Sequence, residues 1–154
     1  MVDLVMDDFR IGQLEPSRIG PVLSQEVAST VTYLEEPSER ILQVEETAYN
    51  AMMVILRSNQ PFHAWTIAQA TRGILHGFVQ VGYDISHVAP FVAAAISKAI
   101  SSAYSLSLQA EKGIRAGVQM TMRDLGLTHG ENDRVHHVPT IDQDETIFFV
   151  QSAL

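Results

Sequence analysis

Between Val92 and Leu108 the chain reads VAAAISKAISSAYSLSL, and Lys98 is its single charged residue. Taken four residues at a time, the spacing that builds the ridges by which helices pack, this stretch sorts into rows of different size. Val92, Ile96, Ile100, Tyr104 and Leu108 form a row of large side chains. Ala95, Ala99, Ala103 and Ser107 form a row of small ones beside it. A helix that carries so little charge on any side is ordinarily covered on all sides. A bilayer is a poor candidate for the cover. A spanning helix needs about 20 predominantly apolar residues, and a lysine at its centre costs roughly 2.5–3.5 kcal/mol. Lys98 sits there among Ser97, Ser101, Ser102, Ser105 and Ser107. The expectation is a helix packed against protein, with no membrane partner.

The preceding sequence supplies shorter helices to pack against it. Val22, Leu23, Val27, Val31 and Leu34 recur at three- and four-residue steps, so a helix is predicted from Pro21 to about Glu36, where Pro37 stops it. A second runs from Pro37 or Ser38 to about Ser58, with Glu39 in its first turn and Glu45 and Glu46 on a solvated side. A third runs from Pro61 to Gly82, pairing an apolar face with a polar stripe of Gln69, Arg72, His76 and Gln80. A fourth begins near Pro90, with Asp84, Ser86 or Ala89 as candidate caps. It either continues unbroken to Leu125, about 54 Å at the helical rise, or breaks near Ser105 to Ser107 or at Gly113.

From Leu127 the text changes. Val135 to Val138 and Thr146 to Gln151 favour strands, while Thr140 with Gln143, and Asp142 with Glu145, have the spacing of a capping box. The expected fold class is mainly α: an antiparallel helical bundle of four to five helices, with a short C-terminal extension forming a small β-hairpin or a short helix. Residues 1–126 make the bundle domain, including an N-terminal extension at 1–16, and residues 127–154 form a tail packed on the same domain.

GIRAG, residues 113–117, extends the row of small residues downstream. Each glycine costs about 0.8–1.0 kcal/mol of helix propensity against alanine, a cost offset when another backbone packs closely. Three shorter helices offer limited cover to a helix over 90–125, so the expected partner is a second copy of the chain. Ala95, Ala99, Ala103, Ser107, Gly113 and Gly117 are the candidate interface of that homodimer.

Composition narrows the chemistry. Eighteen Asp plus Glu against 10 Lys plus Arg give a net charge of −8, which repels nucleic acid. The absence of cysteine removes disulfides, thiolate catalysis and iron–sulfur clusters, and suits a reducing compartment. MVDLVMDDFR lacks the basic and apolar regions of a secretory leader, so the expected location is cytoplasmic. No phosphate loop, nucleophile elbow or di-iron signature occurs, and no catalytic residue or cofactor is expected.

The nearest approach to a metal site is HGENDRVHH, where His129, His136 and His137 accompany Glu131 and Asp133. The expected function is a non-catalytic helical interaction protein, a homodimeric adaptor, regulatory subunit or structural component. The alternative is a metal- or small-ligand-binding enzyme whose C-terminal histidines close over a bundle pocket near Trp65, Tyr83 and Tyr104.

Overall fold

The computed structural model describes residues 16–58, 63–103 and 108–127. They form five helices: α1 (Pro16–Thr30), α2 (Pro37–Ser58), α3 (Ala64–Val81), α4 (Ile85–Ala103) and α5 (Leu108–Asp124). The described part is mainly helical, with no strand among those residues. The tail beyond Leu127, where a hairpin or a short helix was expected, lies outside them.

Helix α3 is the hub. It touches each of the other helices, most extensively α1 on one side and α5 on the other, while α2 packs chiefly on α4. Ile67, Ile74, Leu75 and Phe78 of α3 are fully buried. Ile19, Leu23 and Val27 of α1 meet them in a single core, together with Ala48, Met52 and Ile55 of α2 and Val92, Ile96 and Ile100 of α4. Each such large side chain contributes roughly 1.5–3 kcal/mol on burial, so the core is held by many comparable contacts.

Local chemistry sets the helix ends. Asp84 caps α4: its Oδ1 accepts the Ser86 backbone N–H at 3.0 Å and the Ser86 hydroxyl at 2.8 Å. Those two hydrogen bonds hold the Asp84 carboxyl below its ordinary range. Gly82, at φ 114°, ends α3. Its N–H donates to the Val79 carbonyl and that of Tyr83 to the Phe78 carbonyl, the reciprocal pair of a Schellman motif. Gly126 (φ 70°) and Leu127 repeat the arrangement after α5, on the Arg123 and Met122 carbonyls.

Tyr83 then fastens the link between α1 and α2. Its ring packs edge-on to Phe78 and stacks on Tyr33. Its hydroxyl donates to the Thr32 carbonyl at 2.9 Å and accepts from the Leu34 N–H and from Gln43 Nε2. Arg40 closes the cluster from the other side, donating to the Leu34 and Glu35 carbonyls with its guanidinium over the Tyr33 ring.

α1 ends at Thr30, short of the expected Glu36, because the Thr32 carbonyl and Leu34 N–H bond the Tyr83 hydroxyl instead of continuing the helix. Two starts also differ from expectation, for one reason. α1 and α4 each begin five residues before the proline expected to start them, so Pro21 and Pro90 lie inside helices. Each proline removes the N–H that would serve the carbonyl four residues back, Ser17 and Ser86 respectively. Pro21, Ser17, Pro90 and Ser86 are all exposed, where solvent can satisfy a carbonyl left without its helical donor. The region 90–125 divides into α4 and α5, which touch each other and both pack on α3.

Candidate functional site

Close approach of backbones governs the surroundings of α3. A methyl added to Gly73 would collide with the carbonyl oxygen and Cα of Gly20. One added to Gly77 would meet Val27 Cβ at 2.5 Å. On the opposite side, methyls on Gly113 and Gly117 would stand 2.7 Å and 2.6 Å from the Ala64 and Ala68 carbonyl oxygens. α1 and α5 thus both lie against α3 through glycines spaced four apart, GILHG in α3 itself and GIRAG in α5.

Where α1 and α3 diverge toward solvent, a cleft of about 340 Å³ opens between them. Ser17, Gly20, Pro21 and Ser24 line it from α1; Gln69, Arg72, Gly73, His76 and Gln80 line it from α3. The whole polar stripe read from the α3 sequence therefore faces one cleft. Gln80 Nε2 donates to Ser24 Oγ at 2.8 Å and ties the two walls together.

Asp124, the last residue of α5, fixes the orientation of the two basic side chains. Its carboxylate takes Arg72 in a fork, Nε at 2.7 Å and a terminal nitrogen at 2.9 Å, and accepts His76 Nε2 at 2.8 Å. Partial burial pushes the Asp124 carboxyl upward, but the hydrogen bonds from Arg72 and His76 outweigh it and hold the group below its ordinary value. An ionised carboxylate can only accept, so His76 donates from Nε2 in this contact. The sequence shows Arg72 and His76 as neighbours one turn apart, but not Asp124, which is 52 and 48 residues away. An aspartate against the unfavourable end of the helix dipole was the only local hint.

The expected interface residues divide. Ala95, Ala99, Gly113 and Gly117 are buried among the chain's own helices. The side chain of Ala103 and the whole of Ser107 lie outside the described residues. The opposite side of α4 is open: Ser86, Pro90, Ala94, Lys98, Ser101 and Ser102 are exposed, flanked by half-buried Ala89, Phe91 and Ala93. His129, His136 and His137 lie outside the described residues. Within those that are described, no three His, Asp or Glu side chains are grouped to hold a metal ion.

Comparison with protein-family models, with curated proteins and with solved structures finds no match to this chain.

Proposed function

We propose that the chain is a non-catalytic helical interaction protein, a homodimeric adaptor, regulatory or structural subunit, that self-associates through the outer face of α4. One observation carries this reading. α4 is, among the described residues, the one helix long and apolar enough to cross a bilayer, yet only 39% of its Ile85–Ser102 window is buried within the chain. The remainder is a surface of alanine, serine and proline with Phe91, His87 and Lys98, and a face with so few charged groups suits another protein surface.

Two such faces meeting about a two-fold axis would bury one another and satisfy closed symmetry. Lys98 favours this occupant over lipid, since a charge there would be costly in hydrocarbon. The alanine row at Ala95 and Ala99 is spent on contacts inside the chain, so the surface proposed is the one turned away from it. The lack of cysteine and the acidic balance support a cytoplasmic setting, with neither nucleic acid nor membrane as partner.

The cysteine-free chain makes the test simple. Single cysteines at Ala94, Lys98 and Ser101 should include at least one that oxidises rapidly to a covalent dimer, because a two-fold axis brings some position on this face within disulfide reach of its symmetry mate. A cysteine at exposed Arg115 of α5 serves as the control. Equal, slow cross-linking at all four positions would contradict the proposal.

A further inference from the structure

The α1/α3 cleft presents basic and hydroxyl side chains in a chain that is acidic overall. Among the described residues no Asp or Glu lines the cleft, while Arg72 and His76 both do. Asp124 engages two of the three guanidinium nitrogens of Arg72 and leaves the other terminal nitrogen, with two N–H donors, uncommitted to it. Ser24 accepts from Gln80, which leaves its own hydroxyl proton for donation. Ser17 adds a second hydroxyl at the exposed rim. With Gly20 and Gly73 contributing no side chains, a space of about 340 Å³ remains, at the small end of what molecular ligands occupy.

We propose that this cleft is a binding site for a small molecule bearing an oxyanion, a carboxylate or phosphate group, held by Arg72, His76 and the hydroxyls of Ser17 and Ser24. Charge-assisted hydrogen bonds from a guanidinium to a planar or tetrahedral oxyanion are among the stronger and more directional contacts available to a partly open site. Asp124 is a positioning residue here: its hydrogen bonds fix the Arg72 and His76 side chains on α3. The site is independent of the association proposed for α4, since its lining comes from α1 and α3 and its anchor from α5.

Titration of the intact chain with inorganic phosphate, and separately with acetate, at constant ionic strength, tests this by amide proton–nitrogen spectra. Saturable shifts confined to residues 17–24 and 69–80 are expected for at least one anion, and none for glycerol, which is small, polar and uncharged. Saturation with acetate alone identifies a carboxylate site, with phosphate alone a phosphate site; both support the proposal. Ser17→Glu, which adds a carboxylate at an exposed rim position in the first turn of α1, should leave the melting temperature unchanged and weaken binding about tenfold or more. Shifts that do not saturate, that scatter over the surface, that appear equally with glycerol, or that persist unweakened in Ser17→Glu would overturn it.

Discussion

Gly73 of α3 rests directly on Gly20 of α1, so closely that the space a β-carbon would need at residue 73 is filled by the Gly20 backbone. The obstacle is main chain on another helix, and it cannot swing aside as a side chain would. Replacing Gly73 by alanine should therefore destabilise the fold by roughly 1–3 kcal/mol from overpacking, even after the gain of up to about 1 kcal/mol in helix propensity. Gly117→Ala, facing the Ala68 carbonyl and Thr71, should behave alike. Urea unfolding measures both, and a stabilised Gly73→Ala would show that the two helices do not touch there.

The Tyr83 hydroxyl serves three groups of the α1–α2 link and its flank, Thr32, Leu34 and Gln43. Tyr83→Phe keeps the ring stacked on Tyr33 and against Phe78 but leaves those partners to find water. A loss of about 1–3 kcal/mol is expected, with faster amide exchange at Leu34 reporting the loosened link. Unchanged exchange there would contradict the role given to the hydroxyl.

Asp124 links acid stability to one carboxylate. Its folded pKa is lowered, so its contribution is complete above the ordinary aspartate value near 3.9 and is lost as pH falls through the lower folded value. Asp124→Asn should melt below the parent chain at neutral pH, by a modest margin because the pair is partly exposed to solvent, and the two curves should converge in acid. A gap that widens on acidification would reverse the sign and refute the assignment.

Among the described residues, Gln119 Oε1 on α5 is a buried side-chain acceptor with no donor. An unmet buried polar atom costs about 1–3 kcal/mol, and methionine has a similar shape without it. Gln119→Met should raise the melting temperature. A lower one would mean that the amide has a partner in solution.

The helices were legible wherever apolar spacing was long and the stops were local. α2 and α3 fall close to where Ile41 to Leu56 and Trp65 to Val79 placed them, and Gly82 and Gly126 end helices as their sequence positions implied. The starts of α1 and α4 were not, because an exposed proline can sit past the first turn when its orphaned carbonyl meets water. The polar stripe of α3 was readable from its periodicity, whereas the cleft it faces depends on α1 packing through Gly20, and its anchor on Asp124 from a distant helix. Such pairings are fixed by tertiary packing and leave no trace in local spacing. The small row of α4 was visible too, but spacing alone could not say whether its cover came from the same chain, as it does at Ala95 and Ala99.

Two substitutions on α4 separate core from contact surface. Ala99 is fully buried and Ala94 is exposed on the opposite side. Ala99→Glu should unfold the chain, because it buries a charge without a partner. Ala94→Glu should keep its helical circular dichroism. Sedimentation equilibrium across a micromolar concentration series, on the parent chain and on Ala94→Glu, is the most direct measurement. The account predicts a parent of twice the 17.0 kDa chain mass and a folded Ala94→Glu at the mass of one chain. A parent that stays at one chain mass throughout, or an Ala94→Glu that remains as dimeric as the parent, would contradict association through the outer face of α4.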